Sequence, residues 1–171
     1  MGRGWHSRRS NVNAATLSIR SVLAALVLSL FLTAPAMAKD ADGLAQFAVA
    51  KIMQVTQRSG VIVQGQTNLG VARLEKADEK GAPDALLVRF AANSNHKVTM
   101  MSSKSARIVN AIGTKVVMKL RREGADPALI AMVEEARQQG LQAIQSNAQT
   151  GHDLIADALA AALASEGTPE V

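Results

Sequence analysis

The chain has 171 residues, 48% of them apolar and 2% aromatic, with no cysteine and a formal net charge of +5. The length suits one ordinary domain, and without cysteine neither a disulfide framework nor a thiolate metal site is available, so the fold must rest on burial. The scarcity of aromatic rings argues against sugar-binding surfaces and single-strand nucleic-acid platforms, which rely on stacking.

Arg3, Arg8, Arg9 and Arg20 precede an apolar run over 22–32, and Ala36-Met37-Ala38 supplies the small residues that a signal peptidase requires. This order predicts a signal peptide over 1–38, cleaved after Ala38, with a periplasmic or secreted bacterial product. A spanning helix needs about 20 apolar residues, and this run is shorter and stops at Pro35, so the mature chain is not expected to span a membrane. Asn11 stands where a twin-arginine signal carries a bulky apolar residue, so export of an unfolded chain without a preloaded cofactor is expected.

Removing the leader leaves fifteen basic and fourteen acidic residues, a net charge of +1. The isoelectric point near 10.0 therefore belongs largely to the leader, and no nucleic-acid partner is expected. Only Phe47 and Phe90 remain of the aromatic residues.

Alanine fills 24 of the mature positions, and strong helix formers dominate, which predicts a mainly α, small helical bundle over 39–165. Leu44, Phe47, Ala48, Ile52 and Val55 recur at helical spacing, so a first helix is expected over 41–58 with a stop at Gly60. The stretch 60–101 is ambiguous. Leu69 to Lys80 reads as a charged helix ended by Gly81, whereas Val61-Ile62-Val63 favours extended chain. The alternative architecture is α+β, with a short antiparallel meander over about 61–101, a turn at Asn93-Ser94-Asn95, and C-terminal helices after it.

From Ser102 or Ser103 as a cap, a helix is expected to run to Arg122 and end at Gly124, with Ile108, Val109, Ile112, Val116 and Leu120 as its apolar side. Asp126-Pro127 then reads as a cap plus first-turn proline, opening a helix with a break at Gly140 and an end at Gly151. A last helix is expected over Asp153–Ser165, followed by a flexible tail over 166–171. Three successive helices with short links predict an antiparallel bundle. No internal repeat is evident: Gly60, Gly65 and Gly70 recur, but nothing recurs with them.

Charge is unevenly laid out. Residues 39–84 balance six basic against six acidic, 85–122 hold eight basic and no acidic, and 123–171 hold one basic and eight acidic. Lys104, Lys115 and Arg122 fall on one helix side with Lys119 beside them, and Lys97 lies just upstream. The preferred reading is that the acidic 123–171 region or solvent meets these charges. The alternative is a docking face for an anionic partner, formed by Lys97, Lys104, Lys115, Lys119 and Arg122.

Catalytic signals are weak. His96 and His152 are not at a metal spacing, and His152 with Asp153 and Asp157 reads more simply as a capped helix start. Ser94-Asn95-His96-Lys97 matches Ser-x-x-Lys without companion motifs and reads as a polar turn. Gly113-Thr114-Lys115 lacks the upstream glycine of a phosphate loop and reads as helix interior. Glu134-Glu135 and Asp78-Glu79 read as solvated faces, and Met53, Met100, Met101, Met118 and Met132 as core filling.

The sequence therefore predicts an exported, non-enzymatic protein without cofactor or metal, acting by protein contact or self-association in the cell envelope. The alternative is a binder of an anionic lipid or polyanion through the basic helix face. A small hydrolase or metal-dependent enzyme using His96 or His152 is ranked third.

Overall fold

The computed structural model describes residues 40–165, which form three long helices: α1 (Ala41–Asp78), α2 (Asp84–Arg122) and α3 (Pro127–Ser165). At 1.5 Å per residue each is about 57 Å long. Short links make neighbours antiparallel, and every pair of helices is in contact. The three helices bury their core against one another. The expected signal peptide over 1–38 and tail over 166–171 lie outside the described residues.

The mainly α expectation holds over the described residues, and the meander alternative is overturned, because no strand occurs among them. Val61-Ile62-Val63 is helical: Val63 is buried, and tertiary packing outweighs the modest extended-chain preference of β-branched residues. Gly60 is no stop, since α1 continues to Asp78. Ser102 is not a cap either. It lies buried in the middle of α2, which begins at Asp84 and takes in the expected Asn93-Ser94-Asn95 turn. Gly140 and Gly151 neither break nor end α3, and the two helices expected on either side of Gly151 are one.

The true stops have their own chemistry. Gly81 (φ 64°) and Gly124 (φ 66°) take the left-handed conformation after α1 and α2, where a Cβ would be strained. Ala82 N donates to Ala77 O at 3.0 Å and Ala125 N to Leu120 O at 3.0 Å, so orphaned helix-end carbonyls are satisfied. Asp40 Oδ1 accepts from Gly43 N at 2.9 Å and Asp126 Oδ1 from Ala128 N at 2.8 Å, capping α1 and α3.

The core follows a period of eleven residues. Large apolar side chains are buried at Ile52, Val63 and Leu74 in α1, at Leu87, Val98, Val109 and Leu120 in α2, and at Val133, Ile144 and Ile155 in α3. Small residues are buried at the same interval: Ala48, Ser59 and Gly70, then Ala91, Ser102 and Gly113, then Gly140, Gly151 and Ala162. Eleven residues make three turns at about 3.67 per turn, a period that winds helices weakly right-handed instead of into a left-handed coiled coil. The absence of an evident repeat is thereby corrected, for what recurs is side-chain size.

The small positions let the helices approach closely. A Cβ on Gly70 would stand 2.8 Å from Ser94 of α2, and one on Gly151 would stand 2.6 Å from Thr67 Oγ1 of α1. The apolar residues gather into two clusters, one toward each end of the bundle. Between their α1 and α2 members stand the buried Ser59 and Ser102. Ser102 and Ser94 satisfy their hydroxyls on their own helix, at Thr99 O (3.0 Å) and Phe90 O (2.9 Å). Ser59 Oγ and Thr67 Oγ1 are buried without a hydrogen-bond partner.

Candidate functional site

With eleven residues per three turns, each residue advances by about 98°, so positions eleven apart lie on one line along the helix. On α2, Lys97, Ile108 and Lys119 share a line, Lys104 and Lys115 share the next, and Met100 and Arg122 share a third. These lines are neighbours about 33° apart, and they begin about 98° from the buried line through Val98 and Val109. The structure therefore brings all five candidate residues onto one side of α2. Lys104, Lys115, Lys119 and Arg122 are exposed, and Lys97 is half-buried.

The α1 half of the site was missed from the sequence. On α1, Lys51, Ile62 and Arg73 share a line, and Phe47, Arg58 and Leu69 share the next. Gly70 touches Ser94 of α2 on one flank of the α1 core line, while Thr56 and Thr67 meet Gly140 and Gly151 of α3 on the other. The basic lines of α1 are on its α2 flank. On α2, Ser94 marks the flank toward α1, whereas Thr99, Gly113 and Arg121 mark the flank toward α3. The basic lines of α2 are on its α1 flank. Both sets therefore border the same outer groove and form one face.

Apolar side chains are interleaved on this face. Phe47 is 48% exposed, Leu69 54%, Met100 49% and Ile108 41%, and α3 has only Leu154 among the exposed large hydrophobic residues. Core filling does not describe Met100 or Met118, both of which are exposed. Lys51 Nζ stands 5.7 Å from the centroid of the Phe47 ring, a cation–π contact.

The acidic residues of α1 and α3 lie elsewhere. Asp42 and Glu75 fall on the α3 flank of α1, and α3 carries Glu134, Glu135, Asp153 and Asp157. Ion pairs do not neutralise the basic face. Among the described residues, Arg121 Nη2 reaches across to Glu134 Oε1 of α3 at 2.8 Å, and Lys119 pairs at 3.8 Å with Glu123, one turn on in its own chain. Both pairs are exposed to water and weak. Arg137, the basic residue of α3, is turned inward: its aliphatic chain lies on Gly113 and its guanidinium donates to Thr114 Oγ1 at 3.2 Å.

The other singled-out residues do not converge on a reaction centre. Among the described residues, no three His, Asp or Glu side chains gather where they could hold a metal. His152 is not at a helix start but inside α3, where Nδ1 lies 2.8 Å from Asn95 Oδ1 and Nε2 lies 3.3 Å from Thr99 Oγ1, so it links α3 to α2. His96 is exposed on α2. Ser94 is no polar turn: it is buried, with its hydroxyl bonded to Phe90 O and its side chain against Gly70. Thr114 and Lys115 are in the interior of α2, as expected. Glu135 accepts from Gln139 Nε2 at 3.0 Å and Asp78 accepts from Ser165 Oγ. A cleft between α1 and α3 is open to solvent and lined by Asn68, Glu75 and Asp157 among others. No helix among the described residues is long and apolar enough to cross a membrane. Comparison with known protein families, curated proteins and solved structures finds no match.

Proposed function

We propose that this is an exported, non-catalytic docking protein whose α1–α2 face binds an anionic partner in the cell envelope. The observation that carries this reading is segregation around the bundle. A mature chain with a net charge near zero concentrates exposed Lys and Arg on the outer side of α1 and α2, while α3 presents carboxylates. Such a face attracts anions over a Debye length of about 10 Å and loses that attraction in salt. Among the described residues, cross-helix neutralisation, which would leave the face inert, is limited to Arg121–Glu134, outside the candidate set.

The test is retention of Lys39–Val171 on immobilised heparin along a salt gradient. Lys104→Gln/Lys115→Gln should elute at clearly lower salt, whereas Gln142→Glu/Gln145→Glu, the same net charge change on α3, should elute near the parent. Equal shifts for the two variants would mean that overall charge governs binding, and the face would lose its role. Self-association, with the acidic side of α3 of one copy against the basic face of another, predicts an oligomer by light scattering that dissociates as salt rises.

A further inference from the structure

We infer that the α1–α2 face docks on the surface of an anionic lipid bilayer, with the rod lying flat and α3 turned to water. This rests on the docking function proposed above and names its ligand class. Charge alone does not discriminate among polyanions. The discriminating feature is the alternation of cations with large apolar side chains along straight lines: Lys97–Ile108–Lys119 on α2 and Lys51–Ile62–Arg73 on α1. Ile62 is 37% exposed and Ile108 41%, and each stands midway between two cations of its line.

A nucleic acid or polyphosphate would use the cations and leave the aliphatic and thioether groups without a partner. Stacking is barely offered, because Phe47 is the exposed aromatic residue of the bundle. A second copy using α3 would bring carboxylates, but Leu154 is the only large exposed hydrophobic residue on α3 with which to meet Phe47, Leu69, Met100 and Ile108. An anionic bilayer surface meets both requirements. Phosphates sit beside the Lys and Arg heads while apolar side chains enter the boundary between headgroups and acyl chains. The lysine stems add to this, because they run along apolar surface while the ammonium stays at the phosphate level. The eleven-residue period keeps the lines nearly parallel to the helix axes, so about 57 Å of each helix can touch a flat surface at once.

The experiment uses Lys39–Val171 with large vesicles of phosphatidylcholine alone or with about one third phosphatidylglycerol. Sedimentation should carry the protein down with the anionic vesicles and leave it in solution with the neutral ones. Lys104→Gln/Lys115→Gln should weaken binding about twenty-five-fold, taking about fivefold for each lysine at an anionic surface. The mature chain has no tryptophan, so single reporters are unambiguous. Met100→Trp should shift its fluorescence to the blue on the anionic vesicles, and Leu154→Trp on α3 should not, with circular dichroism confirming that both remain helical. Heparin retention without vesicle binding would overturn the lipid inference and leave the docking function standing, while loss of both would remove both. An equal shift at Leu154→Trp, or none at Met100→Trp, would show that this face does not meet the bilayer.

Discussion

Gly65 and Gly140 are both interior residues of long helices, yet alanine should have opposite effects at the two sites. Replacing glycine by alanine in a helix interior stabilises by about 1 kcal/mol, because the unfolded chain loses freedom and the helix gains propensity. At Gly65 nothing lies within 4 Å of the new Cβ, so the full gain is expected. At Gly140 the Cβ would stand 2.9 Å from Thr56 Oγ1, 3.0 Å from Ile52 Cγ2 and 3.3 Å from Val109 Cγ1. All three neighbours are β-branched, and Ile52 and Val109, fully buried with χ1 restricted in a helix, cannot swing aside, while Thr56 Oγ1 is held by its bond to Ile52 O. Overpacking of this kind costs about 1–3 kcal/mol. Set against the propensity gain, Gly140→Ala should lose about 0–2 kcal/mol and lie about 1–3 kcal/mol below Gly65→Ala. Urea denaturation of Lys39–Val171, followed by far-ultraviolet circular dichroism with an unchanged slope, reads the difference directly. Equal stability of the two variants would mean that α3 can withdraw from α1 and α2 at no cost, and the close approach would not be a specified feature of the bundle.

The remaining expectations concern the core and its rim. Thr67→Val keeps the side-chain shape and removes a buried hydroxyl that lacks a partner, so stability should rise by about 1 kcal/mol, and a fall in urea midpoint would show that the hydroxyl is bonded in solution. Ile144→Ala deletes a buried side chain from the core cluster that joins the start of α1 to the end of α2, and should cost about 2–5 kcal/mol in the same assay. Arg121→Ala breaks the ion pair between α2 and α3 but should cost less than about 1 kcal/mol, since water screens both partners. A larger loss there would mean that the acidic side of α3 holds the basic helix in place, and would count against a free docking face.

Some of this architecture was legible in the chain. The link from α2 to α3 follows from Gly124 and Asp126-Pro127, because a left-handed stop and a first-turn proline are local requirements that any surroundings leave intact. Gly81 ended α1 for the same reason. The glycines at 60, 140 and 151 carry the same local signal and mean something else. Gly140 and Gly151 are spaces for a neighbouring helix, and a Cβ on Gly60 would stand 3.1 Å from Asn147 Nδ2 of α3. Conformational freedom can be read from one residue, but a close approach involves a second residue more than eighty positions away.

The docking face divides in the same way. Its α2 half was visible because 85–122 carries an excess of cations along the chain, and the positions of Lys97, Lys104, Lys115, Lys119 and Arg122 on one helix side follow from helical geometry alone. Its α1 half was hidden because 39–84 balances to zero, with Arg58 and Arg73 on one flank of the helix and Asp42 and Glu75 on the other. Helical periodicity decides which residues share a line on each helix. Only the packing of α3 against the opposite flanks of α1 and α2 decides that their basic lines meet at one surface, because that placement depends on contacts between helices distant in sequence.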